Sequence, residues 1–163
     1  MKIEENFDEI LIENNKRPEG PLFRLRHARF RIGSEGLSSQ FAGGAIIPFQ
    51  KNRLIKNDKL LKQFIYSKNL FEGFRTGKLK ASEVFDLPKL TMVFAINDLF
   101  GNHHGISVKN LKFYFNPSTK RIEPVAYDLS DLVPLKIKRR LVGFGARINI
   151  RSNGDSPPTE WIK

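Results

Sequence analysis

The chain has 163 residues, 40% of them hydrophobic, and a formal net charge of +11. That length supports one ordinary domain with its own core, and the composition is not that of a disordered polymer. There is no cysteine, which excludes disulfides and thiolate metal sites.

No apolar run reaches the roughly 18 residues of a membrane span, and the opening "MKIEENFDEI" is acidic and lacks the apolar core of a signal peptide. Residues 1–50 balance seven basic against seven acidic side chains, so the basic excess lies in 51–163. Such an excess suits nucleic acid, an anionic surface or nucleotide phosphates, and equally suits a solvated basic surface.

In chain order, "IEENFDEILIENN" places Ile3, Phe7, Ile10 and Leu11 near one helical face, so a short amphipathic helix is expected. "KRPEGP" breaks it. "LFRLRHARFRI" alternates in part and is Arg-rich, which predicts an exposed strand. "GSEGLSSQFAGGA" reads as a loop.

Asp58 is expected to cap the next helix, on which Leu60, Leu61, Phe64, Ile65, Phe71 and Phe74 recur at helical spacing, with Gly77 as its stop. Asp86 caps a second helix, with Pro88 tolerated in its first turn. Leu90, Val93, Phe94, Ala95, Ile96, Leu99 and Phe100 make that helix apolar on most sides, so it is expected to be buried, ending at Gly101.

A polar loop with His103 and His104 follows. "LKFYF" then alternates, "NPSTK" is turn chemistry, and "RIEPVAY" reads as the return strand. A β-hairpin is therefore expected over 110–128, with Pro124 pointing to an edge. From about residue 135 the periodicity weakens, and "KIKRR" with scattered glycines predicts a basic, weakly structured tail over 135–163. The fold class expected is α+β: two Phe-rich core helices followed by a hairpin.

A hairpin brings its ends together, so Asn110 and Asp128 are expected to converge. An amide and a carboxylate are hard oxygen donors suited to Mg²⁺, which usually fills its shell with water and phosphate oxygens. Asp131 is a candidate third ligand. In the bland alternative Asn110 caps a strand end, Asp128 a turn, and the histidines the end of the preceding helix. A metal-dependent nuclease would also suit paired histidines, a downstream asparagine and a basic surface.

Residues 99–131, "LFGNHHGISVKNLKFYFNPSTKRIEPVAYDLSD", resemble the CotH kinase-like family. In that family a loop precedes an asparagine, which opens an aromatic-rich hairpin with an "NP-x-T" turn and a closing aspartate. "NLKFYFNPSTKRIEPVAYD" is similar throughout. "LKASEVFDLPKLTMVFAINDLFGNHHG" resembles the helix entering the catalytic loop, and "EENFDEILIENNKRPEGPL" an upstream helix and strand.

The resemblance spans about residues 3–131 and implies a partial atypical kinase-like fold over 1–134. It implies transfer of the ATP γ-phosphate to a protein hydroxyl with Mg²⁺, and it assigns Asn110 and Asp128 to metal and nucleotide. Typical members carry an aspartate where this chain has Gly105. A branch with histidine in this loop is matched by His104, so His104 and His103 are the candidate catalytic residues.

The glycine-rich cover and lysine of a phosphate-binding small lobe have no good match, since "FAGGA", Lys2 and Lys16 lack the context. The expectation is a fragment, truncated relative or pseudokinase with weak nucleotide binding and little turnover. The alternative is a non-catalytic basic module for nucleic acid or an anionic surface. The family's extracytoplasmic members leave the compartment open.

Overall fold

The computed structural model describes residues 7–26, 44–100, 102, 105–106 and 110–127. The order is α1 (Glu9–Asn14), β1 (Leu22–Arg26), β2 (Ala45–Pro48), α2 (Lys51–Lys56), α3 (Asp58–Arg75), α4 (Ala81–Val84), α5 (Leu87–Leu99), β3 (Lys112–Asn116) and β4 (Arg121–Val125). The four strands form one antiparallel sheet in the order β2-β1-β3-β4. The class is α+β, as expected.

Strand alternation gives the sheet two different faces. One face carries Phe23, Leu25, Ile46, Phe113, Phe115 and Ile122, and packs on Phe71 of α3, Val84 of α4 and Leu90 of α5. Phe23, Phe71, Phe85 and Phe113 are buried at its centre. Their rings meet at 5.2 Å (Phe71–Phe113), 5.6 Å (Phe23–Phe113) and 5.7 Å (Phe71–Phe85). Such pairs contribute about 0.5–1.5 kcal/mol each beyond area burial. The other face carries Leu22 and Tyr114 under Ile12 of α1, with Phe7, Phe49 and Val125 around them.

Both long helices have polar caps. Asn57, not Asp58, caps α3: its side chain accepts from the Leu60 N–H at 3.1 Å, and Asp58 takes the first helical position. Both residue types suit a cap, so the start was ambiguous by one place. Gly77 takes φ +73° just past the end of α3, the left-handed conformation that glycine adopts at no steric cost. Asp86 caps α5 by accepting from the Lys89 N–H at 3.2 Å, with Pro88 in the first turn.

Three expectations need correction. On the face expected for α1, Phe7 and Leu11 pack inward, but Ile10 is 56% exposed and Ile12 is the buried residue. β1 is an interior strand rather than an exposed one, because it pairs with both β2 and β3 and buries Phe23 and Leu25; only Arg24 and Arg26 face out. α5 is not buried all round. Leu90 and Asn97 point in, whereas Met92 (62% exposed), Ile96, Leu99 and Phe100 lie along an uncovered side.

Two elements were unmarked. β2 has only four residues, and α2, which begins after Gln50 at φ 51°, buries only Leu54. The hairpin forms as expected around Pro117–Lys120, with Pro124 on the edge strand. The expected tail over 135–163 lies outside the described residues, as do all of "HARFRI" and "GSEGLSSQFAG". Among the described residues no helix is long and apolar enough to cross a membrane.

Candidate functional site at the hairpin base

The loop between α5 and β3 is held by a buried asparagine pair. Asn97, on the inward side of α5, donates from Nδ2 to the Val93 carbonyl at 2.8 Å. Its Oδ1 accepts from Asn102 Nδ2 at 2.8 Å, and its carbonyl accepts from the Asn102 N–H at 2.7 Å. Asn102 Oδ1 in turn accepts from the Gly105 N–H at 3.4 Å. Both side chains are almost fully buried, so these bonds replace water that the site excludes.

Gly105 sits where a side chain has no room. A Cβ there would lie 2.6 Å from Asn97 Oδ1, 2.7 Å from Asn102 Nδ2 and 3.2 Å from the Tyr127 carbonyl. The last of these joins two segments far apart in the chain. It places the loop after α5 directly against the end of the hairpin's return strand. Ile106 and Leu111 are buried beside it, and Asn110 is half-buried two residues before β3. The ladder ends with Lys112 opposite Val125, so continuing its register brings Asn110 level with Tyr127. Loop and hairpin base thus converge.

Of the residues singled out from sequence, Asn110 is described and stands at this base. His103, His104, Asp128 and Asp131 lie outside the described residues. The donor set of Asn110, Asp128 and Asp131 consists of hard oxygens and fits Mg²⁺ in kind. Among the described residues no group of three or more His, Cys, Asp or Glu side chains surrounds a metal position.

Beside the base, the sheet face opposite the Phe-rich core carries two exposed arginines and the buried Lys112. Lys112 of β3 is the direct cross-strand partner of Arg24 on β1, and Arg26 follows on the same face. The Lys112 ammonium lies 4.6 Å from the Tyr127 ring centroid, and the Arg24 guanidinium 5.2 Å from that of Phe49. Phe7 joins these two rings, at 4.7 Å from Phe49 and 5.3 Å from Tyr127. Nothing in the sequence marks this face, because only strand register brings Arg24 to Lys112.

The opposite end of the hairpin is fixed by a charge network. Glu123, 3% exposed, accepts from Asn116 Nδ2 at 2.8 Å and pairs with Lys89 at 2.8 Å and Arg17 at 3.3 Å. Lys89 also pairs with Asp86 at 2.5 Å. Burial pushes the Asp86 carboxyl up, but hydrogen bonds from Lys89 outweigh it and hold the group below its ordinary value. Burial pushes Lys89 down, but hydrogen bonds to Asp86 and Glu123 leave it above its ordinary value. Asn116 Oδ1 accepts from the Ser118 N–H at 3.0 Å, closing the turn. The Asp86 N–H donates to the Ile122 carbonyl at 2.9 Å, which docks β4 on the start of α5.

A shallow cleft lined by Phe7, Ile12, Leu22, Phe49, Arg53 and Leu60 among others is not this site: Asn102, Gly105, Asn110 and Tyr127 do not line it. Comparison of the chain with family models, with curated proteins and with solved structures gives no match in any of the three.

Proposed function

We propose that the hairpin base is a magnesium–nucleotide site and that the chain is related to phosphoryl-transfer domains of the CotH kinase-like type. The observation that supports this best is the packing of Gly105 against the Tyr127 carbonyl. It joins the loop holding His103 and His104 to the strand leading to Asp128. In this reading Asn110 and Asp128 hold the metal, with Asp131 as a further oxygen donor. Bound Mg²⁺ supplies charge neutralisation on the phosphate oxygens. His104 accepts the proton of an acceptor hydroxyl, and His103 orients that group. An imidazole with an ordinary pKa near 6.5 is partly neutral at physiological pH and can do so. It brings no fixed negative charge, so turnover is low compared with a carboxylate at this place.

The test is calorimetric titration with ATP, with and without Mg²⁺, on the wild type and on Asp128→Ala and Asn110→Ala. Metal-dependent binding that both variants lose supports the proposal. Equal heats from wild type and Asp128→Ala remove Asp128 from the site and end this reading. A second reading, a non-catalytic basic module for nucleic acid or an anionic surface, draws on the net charge of +11. Duplex DNA binding that falls steeply with salt, without any ATP binding, favours it.

A further inference from the structure

The solvent side of α5 carries no charge. Opposite its buried residues Leu90 and Asn97, the helix presents Pro88, Thr91, Met92, Ala95, Ile96 and Leu99, all exposed. Charged residues make up 28% of the chain, so about three turns of uncharged solvent surface mark an interaction face rather than an ordinary helix side. Lys89 and Asp98, the charged residues of the helix, are only partly exposed, and each has a partner. Met92, Ile96 and Leu99 stand 41–62% open to solvent, which keeps a large apolar area in water.

α3 supplies charge in the same layer. Both helices pack on the Phe-rich face of the sheet, through Phe71 of α3 and Leu90 of α5, so both turn their solvent sides away from it. The solvent side of α3 presents Lys59, Lys62, Ile65 and Tyr66 at i, i+3, i+6 and i+7, all exposed. Among the described residues neither lysine is in an ion pair, whereas Arg53, Arg75 and Lys89 each have a carboxylate. Tyr66 is anchored by its ring contact with Phe115, 5.6 Å between centroids. α2, joined to α3 through Asn57, adds exposed Lys51, Ile55 and Lys56 at the start of that helix.

We infer that the helix layer of α3 and α5 docks on an anionic lipid surface, with the lysines at the headgroup phosphates and the apolar strip at the headgroup–acyl boundary. The inference rests on the anionic-surface reading above, to which it gives a face and a chemistry, and uses none of the residues assigned to nucleotide. Lysine stems lie along apolar surface while their ammonium groups stay with the headgroups, and a tyrosine, apolar in its ring and polar at its tip, suits the same depth. A lipid surface is favoured over duplex nucleic acid because phosphodiesters give Ile65, Met92, Ile96 and Leu99 nothing apolar to enter. It is favoured over a second copy because in a two-fold contact of this layer the lysines meet either their own copies or the apolar strip, and neither offers a counter-charge. α5 has 13 residues and is about 20 Å long, so it lies along the surface and does not cross it.

The test is co-sedimentation of the full chain with vesicles of phosphatidylcholine containing about one-third phosphatidylserine, at low salt, beside vesicles of phosphatidylcholine alone. The charge variant is Lys59→Gln/Lys62→Gln, the apolar variant is Met92→Gln/Ile96→Gln, and the control is Arg24→Gln/Arg26→Gln on the opposite face of the sheet. All six positions are exposed, so the fold tolerates the changes. The wild type binds the anionic vesicles and not the neutral ones. The charge variant and the apolar variant each lose about tenfold or more in affinity. The control removes the same charge as the lysine variant and loses less than about threefold. No binding to anionic vesicles, equal losses in the charge variant and the control, or an apolar variant that binds like wild type each overturns the inference. So does duplex DNA that binds more tightly than the vesicles and is lost with Lys59→Gln/Lys62→Gln, which assigns the layer to nucleic acid and leaves the basic-module reading in place. A wild type that dimerises through Met92 and Ile96 without binding vesicles overturns it as well and assigns the strip to a second copy. Absence of both vesicle and DNA binding ends the basic-module reading along with the inference.

Discussion

Replacing Gly105 with alanine tests how tightly the loop is bound to the hairpin. The new methyl group would lie 2.6 Å and 2.7 Å from the two atoms that form the Asn97–Asn102 hydrogen bond. Both are ends of side chains, but both side chains are buried and already bonded, so they cannot swing into water. The methyl therefore drives the amides apart. Overpacking of this kind costs about 1–3 kcal/mol. Leaving a buried amide without its partner costs about 1–3 kcal/mol as well. The two costs are alternatives in part, because a loop shift that relieves the clash also breaks the bond. The expected destabilisation is therefore about 2–3 kcal/mol, read as a lower urea midpoint with an unchanged slope. Asn102→Ala alone loses the same bond and should cost about 2 kcal/mol, yet it opens space for the methyl. The double variant should then be less damaged than the sum of the singles, by about 1 kcal/mol or more. A Gly105→Ala loss below about 0.5 kcal/mol, the range of an ordinary surface change, or strict additivity in the double variant, would refute the account of a pinned loop.

The charge network predicts two pH limbs. Asp86, held below its ordinary value of 3.8, contributes stability that is present above that pH and is lost as pH falls through its folded value. Lys89, held above its ordinary 10.5, contributes stability that is present below that pH and is lost as pH rises through its folded value. Lys89→Ala should flatten both limbs of the urea midpoint against pH, and a curve parallel to wild type would show that the pair is not the cause. Tyr114, whose hydroxyl donates to the Pro18 carbonyl at 2.5 Å, is pushed up to about 12 by burial and then by Glu123, against the opposing charge of Arg17. The neutral phenol is favoured in the fold, so its contribution is present below pH 10 and is lost between 10 and about 12. Near-ultraviolet titration of the chain's three tyrosines should show one late phenolate step that Tyr114→Phe removes.

The hairpin was legible because its signals are local. "NPST" is turn chemistry, "LKFYF" alternates, and Pro124 cannot donate in a ladder, which suits the edge strand it occupies. Asp86 was legible for the same reason. The position of β1 was not. "LFRLR" says that one side is apolar and the other charged, but which strands flank it depends on residues far along the chain. The apolar circumference of α5 was read as burial, yet burial depends on how many layers cover a helix, and Met92 and Ile96 remain outside.

At the site, the hairpin base and Asn110 follow from the motif. The Arg24–Lys112 pairing does not, since register alone sets it. Asn97 and Asn102 left a faint trace: a polar amide interrupting "MVFAIND" on the inward side of a helix needs a partner, and another amide follows five residues on.

β3 is buried at every residue from Lys112 to Asn116 and bonded to a neighbour on both sides. Its backbone amides can meet solvent deuterium only when the sheet as a whole comes apart, so they should be among the slowest to exchange and should report the global unfolding free energy. Adjustment around an incoming molecule must then come from the segments on either side of this strand, and ligand-dependent changes in deuterium uptake should begin where the ladder ends.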